Sequence, residues 1–181
     1  MHPHTAAVVS RLDDARARLR QAVDAVPSEL RGRRPGEGRW SVNDVLEHLS
    51  IVETNFTKRS VDAIVAGKMA GIGPEDAVER ALLPEHFEAM IADREKKRTA
   101  PDAAHPRSNF DSDSAWQAVE QSRRLLLNTL TEADGLALSQ VFTSHPFFGT
   151  LTIYQMSELI AAHEARHTAQ IEEVAGELAR A

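Results

Sequence analysis

The sequence predicts an all-α protein, a four-helix bundle with a long crossover between its second and third helices. Three observations lead there. Four long segments repeat apolar residues every three or four positions, the spacing that lines one face of a helix. No segment shows the strict alternation expected of a half-buried strand. Residues 67–112 separate the second periodic segment from the third, far more chain than a tight helical turn needs. At 181 residues the chain suits one domain, 1–181, with a substantial core.

The first helix is expected from about Ala7 to Val26, where Val8, Leu12, Ala15, Leu19, Ala22, Val23 and Val26 share a face and Pro27 ends the run. The second opens on "RWSVNDVLEHLSIVETNF". Ser41 and Asp44 form a capping box with Asp in place of Glu or Gln, and Trp40 and Val45 are placed as a hydrophobic staple. It is expected to reach about Ala66, with Gly67 as its stop. The third opens at "SAWQ", capped by Ser114, with Trp116, Val119, Leu126, Leu127 and Leu130 on one side and Gly135 beyond its end. The fourth opens at Thr152, with Gln155 three residues on, and continues to about Ala179. Within the crossover, "EDAVERALL" and "PEHFEAMIADREKKR" suggest one or two short extra helices, and "TAPDAAHPRSNFDSDS" reads as loop.

Composition removes several functional classes. The net charge is −6 and the pI is near 5.7, which argues against a nucleic-acid partner. The basic runs "RGRRPGEGR" and "REKKR" lie beside turn signals and read as solvated charge. With no cysteine, disulfides, thiolate metal sites and cysteine nucleophiles are all excluded. The first residues carry only a four-residue apolar run, too short for a signal-peptide core, and no stretch approaches a membrane span. A cytoplasmic protein with no membrane partner is expected.

The histidines carry the chemistry. Residues 163–167 read HEARH, the H-E-x-x-H string of zinc proteases. On a helical wheel His167 lies about 40° from His163 and Gln170 about 20° to the other side. Met156, Ile160 and Val174 fall on the same face, so both histidines point into the bundle. Glu164 sits roughly 80° from the midpoint of the pair, at the margin of the stripe. Two imidazoles one turn apart can chelate one metal, and His48 is the best third ligand because Val45 and Val52 lie one turn either side of it. The other candidates are weaker. His2 and His4 belong to a terminus expected to be mobile, His86 to the crossover and His105 to a Pro-rich loop. Three inward-facing imidazoles without a shared partner would leave several buried nitrogens to satisfy separately.

The protease possibility fails on its third ligand. Glu172, Glu173 and Glu177 lie on the same helix as HEARH, and a rigid helix cannot fold them back onto its own metal. The extended pattern H-E-x-x-H-x-x-G-x-x-H would need Gly at 170 and His at 173, where the sequence has Gln170 and Glu173. Nor is an edge strand evident for presenting a peptide.

The segment "HPFFGTLTIYQMSELIAAHEARHTAQIEEV", with "WSVNDVLEHLSIVE" upstream, resembles the two signatures of the DinB-like (YfiT-like) metal-binding four-helix bundles. The order and spacing fit across roughly residues 8–178. The resemblance implies that His48, His163 and His167 are metal ligands for zinc, nickel or a similar divalent ion. It also implies an enzyme of the thiol S-transferase or hydrolase type, and a homodimer. The partners would be a small-molecule electrophile and, for a transferase, a low-molecular-weight thiol. Glu164 is not part of the family pattern. Gln170 is expected to support a ligand or orient a substrate, and His145 to stand at the site mouth as acid or base. Glu164 is the weakest of the three catalytic candidates, as a base on water. The alternatives are a structural metal stapling the second helix to the fourth, or a metal-free helical interaction module.

Overall fold

The computed structural model describes residues 1–77, 79, 82–95 and 100–180 of the chain. Four long helices dominate it: α1 (Pro3–Asp24), α2 (Val42–Met69), α4 (Ser112–Glu132) and α5 (Ile153–Leu178). A short α3 (Glu85–Ala92) lies in the crossover and packs on α5. Among the described residues no helix is long and apolar enough to cross a membrane.

The capping chemistry read from the sequence at three starts holds at two of them. Ser41 Oγ accepts from the Asp44 N–H at 3.1 Å, and Asp44 accepts in return from the Ser41 N–H at 2.9 Å. Thr152 and Gln155 make the same reciprocal pair at 3.1 Å each way. The starts of α1 and α4 differ. α1 begins at Pro3, four residues before the expected Ala7, because proline suits the first helical turn and His2 Nδ1 accepts the His4 N–H at 3.2 Å. The His2 N–H also donates to Asp134 at 2.9 Å, so the terminus is pinned rather than mobile. α4 is capped by Asp111, which accepts the Ser114 N–H at 2.8 Å, and Ser114 lies inside the helix.

α2 does not stop at Gly67. A Cβ there would come within 3.3 Å of Val141 Cγ2, so this glycine admits a close neighbour instead. The helix ends at Ala70 and Gly71, whose φ of 82° is the left-handed conformation that closes a helix and favours glycine. That close neighbour leads into two strands the periodicity did not reveal. β1 (Phe142–His145) and β2 (Gly149–Thr152) pair antiparallel in the register Phe142↔Thr152 to His145↔Gly149. Four residues per strand give too few repeats for an alternation signal. Of the crossover segments, "PEHFEAMIADREKKR" supplies α3, while "EDAVERALL" and the basic end of the former fall partly outside the described residues.

The core divides into two apolar halves. One contains Val8, Leu12, Phe56, Leu126, Leu130, Met156 and Ile160; the other contains Leu19, Val23, Val45, Leu49, Val119, Ile171 and Val174. Followed along the chain, α1 and α5 run from the first half to the second, and α2 and α4 run the opposite way. α1 packs along α5 and α2 along α4, so each close pair is parallel. A parallel pair cannot be joined by a tight turn, which is why the chain needs its long return between α2 and α4.

Between the two halves lies a layer of charge, with one residue from each long helix. Arg16 of α1 grips Glu164 of α5 with Nε and Nη2, both at 3.0 Å, and reaches Glu53 of α2 at 3.3 Å. Arg123 of α4 bonds Glu53 and Glu164 at 2.6 Å each. Glu53, Arg123 and Glu164 are all less than 5% exposed. Two cations and two carboxylates balance, and the Leu12 and Val119 carbonyls take further guanidinium protons. Breaking such a buried network on one side leaves uncompensated charge. Glu164→Gln is therefore expected to lower unfolding stability by about 3 kcal/mol, read by denaturant titration. A change under about 0.5 kcal/mol, the size of an ordinary surface substitution, would contradict this account.

Candidate metal centre

His48 lies two turns into α2, on the face turned toward α5, and His163 and His167 lie one turn apart in the middle of α5. The fold brings all three together, as the sequence anticipated. His163 Nε2 is 3.3 Å from His48 Nε2 and 3.2 Å from His167 Nε2. One ligating nitrogen from each lies within 4.8 Å of the other two, and this is the group among the described residues with that property.

The far side of two rings is held. His48 Nδ1–H donates to the Ala104 carbonyl at 2.6 Å, and His167 Nδ1–H donates to Gln170 Oε1 at 2.8 Å. Each bond keeps the proton on Nδ1 and leaves Nε2 as a lone pair aimed at the centre. A single proton on His163 Nε2 can answer only part of that demand. A cation can answer all of it. Three neutral imidazole nitrogens so gathered are the donor set that zinc and similar divalent ions take, so the residues fit a metal of that type.

Electrostatics agrees with neutral ligands. Burial, reinforced by the neighbouring His48, Arg166 and His145, pushes His163 down to about 3. Burial also drives His167 well below the usual histidine range, with His163 and His48 adding to it. His48 is lowered by burial, partly offset by its bond to Ala104. Neutral imidazole is the form that binds a metal.

The remaining candidates separate. Gln170 touches His167 and orients that ring. His145 ends β1; burial and then Arg59 lower it to about 4, and it is close enough to His163 to depress that group as well. Its Nδ1 accepts the Phe147 N–H at 3.2 Å, so the proton of the neutral ring resides on Nε2. Glu164 is a correction to its candidacy as a base: both carboxylate oxygens are taken by Arg16 and Arg123, on the side of α5 away from the histidines.

Two contributors escaped the sequence. The Ala104 carbonyl comes from a loop 56 residues beyond His48, and a backbone acceptor leaves no trace in residue type. Trp40, expected only as a staple, lies with its ring 5.0 Å from that of His48 and nearly parallel to that of His167 at 6.2 Å. Its position just before the helix that carries His48 was the available signal.

The sequence model of the DinB superfamily matches residues 11–171. The chain belongs to the DinB superfamily. It is 26% identical over 177 residues to the uncharacterized protein YuaE of Bacillus subtilis (strain 168), covering 96% of this chain and 100% of that one. Two solved structures share its fold. TT2238, a four-helix bundle protein, has a TM-score of 0.60 at 17% identity, over 93% of this chain and 98% of that one. YfiT from Bacillus subtilis has a TM-score of 0.56 at 19% identity, over 99% and 90%. YfiT is described as a probable metal-dependent hydrolase with an unusual four-helix bundle topology.

The lowered histidines have a consequence for stability. In the unfolded chain they titrate near 6.5, whereas in the fold His163 and His145 stay neutral to about 3 and 4. Below 6.5 the unfolded state therefore binds protons that the folded state refuses, and stability falls as pH falls. Metal-free protein is expected to melt at a lower temperature at about pH 5 than at about pH 7. A variant with alanine at 48, 163 and 167 should show a flatter profile, and equal slopes would contradict the assignment.

Proposed function

We propose that His48, His163 and His167 hold a divalent metal, zinc or nickel, and that the protein is a metal-dependent enzyme of the hydrolase or thiol S-transferase type. The observation that carries the metal is the convergence of three Nε2 atoms, two of them fixed as lone pairs by Ala104 and Gln170. An ion held by three neutral nitrogens keeps its full charge and would supply Lewis-acid activation of a water molecule or of a cosubstrate thiol.

The chain's own groups then have distinct tasks. Trp40 covers the His48 and His167 rings and keeps bulk water from that side. His163 is only partly buried where His48 and His167 are buried, which makes its side the approach for a substrate. His145, neutral at physiological pH with its proton on Nε2, acts as a hydrogen-bond donor to substrate rather than as a base. With no cysteine in the chain, the thiol of a transferase reaction comes from a low-molecular-weight cosubstrate and the other partner is a small electrophile. The likeness to YfiT supports the hydrolase branch by analogy of fold. Three protein ligands would leave a position for water or substrate on a tetrahedral ion, which favours catalysis over a purely structural ion, whose coordination would be closed.

The test is the metal content of purified protein beside a variant with alanine at 48, 163 and 167. Wild type is expected to carry about one divalent ion per chain and the variant none. Equal content in both would remove the site. Ester and amide hydrolysis assayed against thiol conjugation then decides the branch. His145→Ala is expected to lower kcat/KM about 10- to 100-fold, roughly 1.4–2.7 kcal/mol of barrier, without releasing the metal.

A further inference from the structure

The second half of the crossover crosses the first turns of α2 and is fastened there by a compact polar cluster. Ser108 donates its N–H to Glu47 Oε2 at 2.9 Å and its Oγ–H to Asp44 Oδ1 at 2.6 Å. Arg34 closes the cluster, donating Nη2 to Ser108 Oγ at 2.7 Å and Nε to Asp44 Oδ2 at 2.9 Å. Asp44 also caps α2 through Ser41, and Glu47 immediately precedes His48. Both carboxylates are buried, at 2% and 4% exposure, so their partners matter.

Ser108 has a φ of 58°, the one positive value outside glycine among the described residues. For a serine that conformation is disfavoured. Here it turns the N–H and the hydroxyl of one residue toward two acids one turn apart on α2. Four residues upstream, the same loop delivers the Ala104 carbonyl to His48 Nδ1 at 2.6 Å. Pro106 stiffens the link. The intervening His105 sets its ring edge-on to Trp40 at 5.6 Å, and Trp40 lies on His48 and His167.

We propose that Ser108, with Asp44 and Glu47, is a positioning latch that holds the Ala104 carbonyl on His48 and so selects the tautomer whose Nε2 faces the metal. Neutral imidazole carries its proton on either nitrogen, and nothing within the His48 ring directs Nε2 to be bare. The loop supplies that choice. When the latch is released, the Ala104 carbonyl drifts from Nδ1 and the proton moves to Nε2, pointing into the centre, where it must be displaced before an ion binds. The latch thus rests on the metal site proposed above, but its effect on the tautomer exists without any ion.

The experiment compares wild type with Ser108→Ala and with the double variant Ser108→Ala, Glu47→Ala. In zinc-free protein, the ring-nitrogen NMR shifts of His48 should report Nδ1–H in wild type and a growing Nε2–H fraction in the variants. Zinc affinity, by competition with a chromophoric chelator, should weaken about 10- to 100-fold. Ser108→Gly, which loses the hydroxyl as Ser108→Ala does but adopts the positive φ without strain, should fall between wild type and Ser108→Ala. An unchanged His48 tautomer with a zinc Kd within about threefold of wild type overturns the latch, because loop packing alone would give that result. If the double variant does not fold, Ser108→Ala decides by the same two readouts. If wild type itself binds no zinc, the metal proposal fails while the ring-nitrogen shifts still decide the latch.

Discussion

The charged layer of Arg16, Glu53, Arg123 and Glu164 is the constraint on which the rest of the bundle depends. Apolar faces alone tolerate sliding and rotation, because leucine packs against leucine in many registers. Four charges without water do not. Each carboxylate must meet both guanidinium groups, and each of the four long helices contributes one member. A displacement of any helix by one turn, about 5.4 Å, would leave a charge buried and unpaired. Specificity of this kind is the best-attested benefit of buried polar groups, although they add little net stability. The two apolar halves of the core are packed around a register that the charges define.

The histidine cluster inherits that register. Glu164 immediately follows His163, and Glu53 lies five residues after His48, so the ion pairs that set the height of α5 and α2 also set the height of the histidines. The nearest packing in the bundle is within the parallel pairs, α1 with α5 and α2 with α4, whereas α2 and α5 face each other across the layer. A polar cluster between α2 and α5 therefore lies outside the two closest-packed helix pairs. The ring of Trp40 and the loop at Ala104 cover this seam on one side, and the hairpin ending in His145 approaches from another.

What was legible in the sequence follows how local the physics is. Helical periodicity, the Ser41–Asp44 and Thr152–Gln155 caps, and the face of each histidine depend on residues within a turn or two, and all were readable. The convergence of His48 on the pair at 163 and 167 was readable because each wheel pointed inward and three imidazoles without a shared partner would leave several nitrogens to satisfy separately. Less local features were not. The hairpin at 142–152 follows Val141, which packs against Gly67 of α2, a glycine that by itself resembles a helix stop. Pro3 starts α1 only because His2 and Asp134 anchor the chain before it. The Ser108 turn depends on two acids of α2 that lie 64 and 61 residues away.

HEARH shows why a motif carries chemistry only in its surroundings. In both a zinc protease and this bundle the two histidines share a face, since the spacing dictates it. The glutamate stands about 80° from them, where its role depends on what the neighbouring helices place opposite. Here they place Arg16 and Arg123, which occupy both carboxylate oxygens with three hydrogen bonds. The other four guanidinium contacts fix the arginines to Glu53 and to the Val119 and Leu12 carbonyls. A carboxylate so engaged cannot take a proton from water without breaking the layer that sets the bundle's register. The same five residues therefore divide their work across the helix, the histidines facing the seam with α2 and the glutamate holding the core that positions them.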